Sequence, residues 1–407
     1  MADFDAIVIG GGHNGLITSA YLARAGRRTL LLEARAAVGG CASTVDFAGA
    51  RVNICNCDHI TFRTTPVMEE LRLAEHGLRY LEVDPSQLNV YWSGSPAWAM
   101  FHDVERTLES LALAYPDQVD GYRRYAHAAV PVAKLVLAAA GRPPSIGGLA
   151  RIAATNGGRG AVTLLRWARM SAADVLRQFF TRDEMIASAV CAGPVVWGLS
   201  PELPGTGLGA LTYAIRHVAQ VGRPVGGSGQ LPAAIAAAFE AAGGILRTNA
   251  TVAGIQCEGG KEDGRVRGVV LADGTEITAP VVVSACDPRR TFVDWLQNPP
   301  AGAGPLVERW RGVAHQDGYE SKIDAVVATL PSYRSLADGT AERLGFDPLT
   351  PSAMIAPTVA EMHRGYELAN VGGVAERPVL FANLPSVVDP TMAPPRGWDS
   401  IRSHRRP

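Results

Sequence analysis

The stretch IVIGGGHNGLITSAYLARAG, residues 7–26, runs from an apolar strand through a knot of glycines into a helix. Residues 4–9 (FDAIVI) and 29–33 (TLLLE) read as short buried strands on either side of a helix over roughly 14–25. Gly26 follows that helix and suits the left-handed position that closes it. Parallel strands need a helical crossover of this kind, so the stretch predicts a strand–helix–strand unit and an α/β fold. Gly10-Gly11-Gly12-His13-Asn14-Gly15 satisfies G-x-G-x-x-G, and each glycine has a mechanical reason. Gly10 permits the tight turn out of the strand, Gly12 removes a side chain that would block a pyrophosphate, and Gly15 lets helix and strands pack closely. The helix start offers free N–H groups and a positive dipole end to phosphate charge. Glu33, eighteen residues past Gly15 at the end of the second strand, is placed to accept a hydrogen bond from a ribose hydroxyl. His13 and Asn14 sit in the turn and shape the cofactor site.

Composition bounds what surrounds this turn. The 407 residues suffice for two domains and a substantial core. A 47% hydrophobic and 19% charged composition with net charge −1 fits a globular enzyme and excludes a general nucleic-acid binder. A strand beginning at Phe4 leaves no room for a secretory or transit peptide, and six cysteines form no disulfide-rich framework. The expected compartment is therefore the reducing cytoplasm. Pro131, Lys134 and Arg142 interrupt the best candidate for a membrane span. Residues 130–170 carry Lys134, Arg142, Arg151, Arg159, Arg166 and Arg169 with no acidic residue, among Leu, Val, Ile and Trp167. Such a segment reads either as an Arg-decorated helical cap or as a peripheral contact with an anionic membrane surface.

Farther along, residues 66–220 read as largely helical. Between 245 and 286, ILRT, ATVAGIQC, RVRGVVLA and TEIT, with an Asp273-Gly274 turn, predict a small antiparallel meander, and VVVSA predicts a buried strand after it. The helix over 230–243 places Leu231, Ile235 and Phe239 at four-residue steps, as packing requires. The expected organisation is a Rossmann-like dinucleotide-binding domain from 1–75 and 215–300, with an inserted α+β substrate domain from 76–214 and 301–395. Residues 396–407 read as an irregular tail.

NAD and FAD share the ADP half, so the glycines alone do not choose between them. Glu33-Ala34-Arg35 and the diglycine Gly39-Gly40 add a second close backbone approach along the cofactor. With these residues the sequence resembles FAD-dependent oxidoreductases of the phytoene desaturase and carotenoid isomerase type, closest to the pyridine nucleotide-disulphide oxidoreductase domain-containing protein 2 branch. The likeness continues through PGTGLGALTYAIRH (204–217), PVGGSGQLPAAIAAAFEAAGG (224–244), ATVAGI (250–255), VVVSACDPRRTF (281–292) and LPSVVDPTMAPP (384–395). It implies a glutathione-reductase-like topology and FAD as cofactor. It also implies that Gly10, Gly11, Gly12, Gly15 and Glu33 hold the ADP moiety, and that Ala34, Arg35, Gly39 and Gly40 lie along it. Val252 would present its backbone to the adenine, and Ala285 and Asp287 would follow the strand beneath the cofactor. The substrate it implies is a hydrophobic polyene or isoprenoid, desaturated by hydride transfer to flavin or isomerised with flavin's help.

Other chemistries find little support. Cys41 has no cysteine at a C-x-x-C or C-x4-C offset, and Cys55-Asn56-Cys57 reads as ordinary structural cysteines rather than a redox pair. His59 near Cys55, Cys57 and Asp58 lacks a second ligand pair at zinc spacing, so no metal is expected. Gly226-Gly227-Ser228-Gly229 is not a nucleophile elbow. Gly205, Gly207 and Gly209 lack the preceding strand and acid of a second dinucleotide site. His59, Arg63 and Lys322 are polar residues in segments able to face a flavin, yet each reads as structural, and no catalytic acid or base is named. Members of the resembled family continue to a Gly-rich segment that touches the flavin ring, whereas this chain ends in RGWDSIRSHRRP. That ending leads to the expectation of a C-terminal truncation, with a non-catalytic remnant or interaction protein as the alternative function.

Overall fold

The computed structural model of the chain describes residues 2–55, 57–141, 145–154, 158–258, 264–313 and 320–394. The expected irregular tail at 396–407 therefore lies outside the described residues, as does Arg142. The chain divides into two compact units, one of Met1–Cys57, Val67–Tyr80 and Pro224–Gly318, the other of Asp58–Pro66, Leu81–Arg223 and Tyr319–Pro407.

The first unit is organised by a four-stranded parallel sheet. Strand β1 (Ala6–Ile9) lies between β2 (Thr29–Leu32) and Val282–Ser284, and β2 pairs in turn with Ile245–Arg247. β1 and β2 are buried at every position. This is why they read as continuous apolar runs rather than alternating ones. Helix α1 (His13–Arg24) makes the crossover. Its end is a Schellman motif: Gly26 sits at φ +75°, its N–H donates to Ala23 and the Arg27 N–H donates to Leu22. The helix Gln230–Ala241 packs against α1 and buries Leu231, Ile235 and Phe239, the residues spaced by four.

A second sheet in this unit carries the antiparallel ladder Val252–Cys257, Val266–Leu271 and Glu276–Thr278, with Leu296–Gln297 parallel at its edge. Gly274 at φ +86° makes the predicted Asp-Gly turn. The expected meander is corrected at its first member. Ile245–Arg247 does not join the antiparallel ladder but extends the parallel sheet beside β2. Its three residues carry no local sign of their partner, which is supplied by the preceding helix acting as a second crossover.

The region 66–220 is largely helical, as expected, and it also contributes strands to the sheet of the second unit. That sheet takes two strands from the region, Gln87–Tyr91 and Trp98–Met100, antiparallel to each other, and continues through Ser352–Ala356 and Leu380–Ala382. Trp98–Met100 is too short to declare its type by periodicity, whereas the polar–apolar alternation of Gln87–Tyr91 was an available strand signal. Helices including Val104–Ala114, Val119–Ala140, Asp183–Cys191 and Thr212–Val218 surround an aromatic core. Trp98, Tyr122, Tyr125 and Tyr213 are fully buried there and meet edge-on or tilted, with Trp98 and Tyr213 centroids 5.6 Å apart. Each tyrosine hydroxyl finds a partner: Tyr125 donates to the Ala210 carbonyl at 2.6 Å, Tyr213 to the Met185 carbonyl at 2.9 Å, and Tyr122 pairs with His217 Nε2 at 2.8 Å. Satisfied hydroxyls are the condition for burying phenols at all. Among the described residues, no helix is long and apolar enough to cross a membrane.

Candidate cofactor site

The glycine turn leaves β1 through Gly10, whose φ of +102° is open to glycine, and whose N–H donates to the Leu32 carbonyl at 2.8 Å. Gly11 N–H donates to Glu33 Oε2 at 2.7 Å, and the Arg35 N–H donates to Glu33 Oε1 at 2.9 Å. The carboxylate is thus buried and aimed before any ligand arrives. An ionised carboxylate accepts more than two hydrogen bonds, which leaves capacity for a ribose hydroxyl. Gly12 is the extended residue at the head of α1, no side chain caps the helix, and its first turn holds no acidic residue. First-turn N–H groups without a side-chain cap are what a phosphate seeks.

Two of the glycines differ sharply in what surrounds them. A Cβ on Gly15 would stand 2.0 Å from the Gly10 carbonyl oxygen and 3.2 Å from Ala285 Cβ. A Cβ on Gly12 would meet nothing closer than Gly40 Cα at 3.9 Å. One glycine is needed by the protein's own packing, while the other keeps space open at the helix start. Gly39, at φ +140°, pairs with Gly12 in a parallel bridge and donates its N–H to the Gly11 carbonyl at 2.8 Å. A Cβ on Gly40 would come within 3.1 Å of Gly12 Cα. The two glycine segments therefore form one backbone-lined cradle.

The remaining predicted residues are distributed around it. His13 and Asn14 are exposed on the first turn of α1, and Ala34 and Arg35 are exposed beyond β2. Arg35 Nη2 donates to the Gly40 carbonyl at 3.2 Å, tying the acidic strand end to the diglycine. Ala285 donates its N–H to the Ile9 carbonyl at 2.9 Å, beneath the turn. Asp287 stands farther along, where its carboxylate accepts the Arg290 N–H at 3.0 Å. Val252 is buried in the core with Ile7, Ile9, Leu30 and Leu32. The backbone two residues before it runs beside the site, since the Ala250 N–H donates to the Glu33 carbonyl and the Asn249 N–H to the Arg35 carbonyl.

Two features escaped the sequence reading. Cys286 Sγ packs 2.9 Å from where a Gly10 Cβ would be, and burial together with the Glu33 charge pushes its thiol pKa up. Around Gly226–Gly229, Asn53 Oδ1 accepts the Ser228 N–H at 2.9 Å and Thr44 Oγ1 accepts the Gly229 N–H at 2.8 Å. The PVGGSGQ stretch is therefore a turn seated on the hairpin Thr44–Phe47 and Ala50–Asn53, which opens the helix Gln230–Ala241. Its glycine density was the available signal.

The polar residues set aside earlier have structural partners. His59 is buried and exchanges backbone hydrogen bonds with Gly222. Arg63 Nη1 donates to Glu82 Oε2 at 2.8 Å, and Lys322 pairs with Asp324. Cys55 is exposed and Cys57 buried, and no group of metal-ligating side chains occurs among the described residues.

The cradle, the buried acid and the open helix start fit a dinucleotide, and comparison with known proteins specifies which. A family model described as flavin containing amine oxidoreductase matches residues 15–291. A mouse protein, pyridine nucleotide-disulfide oxidoreductase domain-containing protein 2, is 26% identical over 97% of this chain and 72% of its own length. A lycopene-forming phytoene desaturase from a Paracoccus species is also 26% identical, over 96% of this chain and 72% of its own. The solved structure of an oxidoreductase from Methanosarcina mazei shares the fold with a TM-score of 0.50 at 18% identity, covering 75% of this chain and 64% of that one. The chain belongs to the flavin containing amine oxidoreductase family, and its cofactor is FAD.

Proposed function

We propose that this chain is an FAD-dependent oxidoreductase acting on a hydrophobic, polyene- or isoprenoid-like substrate, by hydride transfer to flavin or by flavin-dependent isomerisation. The observation that carries the reading is the cradle around Gly12, where a Cβ would have nothing nearer than 3.9 Å beside a helix start with no side-chain cap. Gly10, Gly11, Gly12, His13, Asn14 and Gly15 would hold the pyrophosphate, with Glu33 on the ribose and Ala34, Arg35, Gly39, Gly40, Val252 and Ala285 along the adenosine side. Bound flavin supplies the hydride-accepting ring. The protein binds and orients the cofactor from the first unit, which serves as the FAD-binding domain. The second unit, with its apolar and aromatic core, serves as the substrate domain. The carotenoid-acting relative supports a hydrophobic substrate.

Mixing the FAD-loaded protein anaerobically with detergent-dispersed phytoene tests the substrate class. Bleaching of the oxidised flavin band with growth of longer-polyene absorbance is the expected result. A flavin left oxidised, with the polyene spectrum unchanged, removes polyene desaturation.

The same reading includes contact with a membrane surface. Within 130–170, Lys134, Arg151, Arg166 and Arg169 are exposed, next to Ile146, Val162 and Leu165 at 91%, 70% and 67% exposure. Cations beside bare aliphatic side chains favour an anionic interface. In flotation with vesicles of about one-third anionic lipid, the chain should rise at low salt and much less at about 0.5 M salt. Leu165→Asp should weaken flotation at both salts. Absence of the wild-type chain from the floated fraction at low salt contradicts the idea.

A further inference from the structure

The second unit places more positive than negative charge around one point. Arg223, 4% exposed as a side chain, pairs with Asp58 through Nε–Oδ1 at 2.6 Å, and both touch Ser352, with Arg223 Nη2 also reaching Asn383 at 3.3 Å. A second guanidinium, Arg216 on the helix Thr212–Val218, has its pKa pushed down by burial, with the nearby Asp58 carboxylate only partly opposing that. No carboxylate among the described residues lies within ion-pair distance of Arg216. Its side-chain donation among those residues is a long one, Nη1 to the Thr212 carbonyl at 3.4 Å, and Nε is buried with no acceptor. Around it stand the buried rings of Tyr122, Tyr125 and Tyr213. The adjacent histidine offers no negative charge: His217 is held toward its neutral form by burial, bonded to Tyr122 and the His102 carbonyl.

Guanidinium stays charged in proteins, and burying it without a counter-ion is costly. A planar carboxylate matches its fork of donors. Arg216 keeps partial exposure as a residue while its Nε is buried.

We infer that Arg216 is a specificity-determining residue for an anionic end group, and that the apolar substrate of this protein carries a carboxylate. The inference rests on the reading of the second unit as the substrate domain. It narrows the substrate from hydrocarbons in general to amphipathic acids.

The test compares oleate with oleyl alcohol, both below their aggregation limits, by quenching of intrinsic tryptophan fluorescence in the whole chain. Oleate should bind about tenfold or more tightly than the alcohol, the worth of a charge-assisted pair. In Arg216→Met the two should agree to within about twofold, with affinity for the alcohol kept. Arg216→Lys should retain part of the preference, because it keeps the charge and loses the fork. Equal binding of acid and alcohol by the wild-type chain overturns the inference, as does an unchanged preference in Arg216→Met. A purely structural arginine would alter the melting temperature of Arg216→Met and leave the acid-to-alcohol ratio alone. If the Met variant does not fold, the wild-type ratio and the Lys variant decide. Flavin content is read from the visible spectrum of the same samples. Preference without flavin overturns the FAD reading alone, and flavin without preference overturns this inference alone.

Discussion

A Gly12→Glu variant folds normally and emerges from purification without flavin. Space for its Cβ exists within the protein, since the nearest atom is 3.9 Å away, and Gly12 already has an extended backbone at φ −73° and ψ 172° that any residue adopts. What the new side chain meets is the ligand. Its bulk takes the place where backbone and pyrophosphate approach each other, and its carboxylate repels phosphate charge. FAD affinity should fall at least about a hundredfold, equivalent to about 2.7 kcal/mol, with the melting temperature of the apoprotein unchanged. Gly15→Ala is the contrasting variant. Its Cβ would lie 2.0 Å from the Gly10 carbonyl oxygen, so β1 and α1 must separate. Overpacking of this kind costs about 1–3 kcal/mol, and stability as well as flavin should be lost. Urea unfolding monitored by circular dichroism, beside the flavin spectrum, separates the two outcomes. Equal destabilisation by both variants would contradict the distinction.

Asp58→Ala should destabilise the chain by about 3–5 kcal/mol, the cost of leaving a buried guanidinium without its partner. Arg223 Nε lies 2.6 Å from Asp58 Oδ1, and their side chains are only 4% and 16% exposed. Removing the carboxylate takes away the negative charge held 2.6 Å from Arg223 Nε, with Arg216 adding like charge nearby. The double variant Asp58→Leu/Arg223→Met replaces the pair by apolar groups and should recover much of the loss. Denaturant midpoints of the single and double variants give the comparison. If the double variant is as unstable as the single one, the pair is not the source of the effect.

How far the sequence could be read depended on the distance between cooperating residues. The strand, glycine turn, helix and second strand of residues 6–32 declare themselves locally, because burial on both faces of a parallel sheet leaves an apolar run and the turn needs glycine. Ile245–Arg247 was misplaced because strand pairing is decided by partners far away, here β2, and three residues carry no preference of their own. Trp98–Met100 was hidden for a related reason, because a three-residue apolar run fits a buried helix as well as a strand, while Gln87–Tyr91 did carry a strand's alternation. In the cofactor site, Glu33 could be proposed from spacing alone. Cys286 could not, because its role comes from the return of a distant strand beneath Gly10. Asp58 and Arg223 are 165 residues apart, and nothing in either segment announces the other.

The central claim, that the Gly10–Gly15 turn holds FAD, is tested most directly by the visible absorption spectrum of the purified chain after addition of FAD and removal of the excess. The account predicts retained flavin bands in the wild-type protein and their loss in Gly12→Glu. A folded wild-type protein that stays colourless and takes up no FAD, or a Gly12→Glu protein that keeps its flavin, would contradict it.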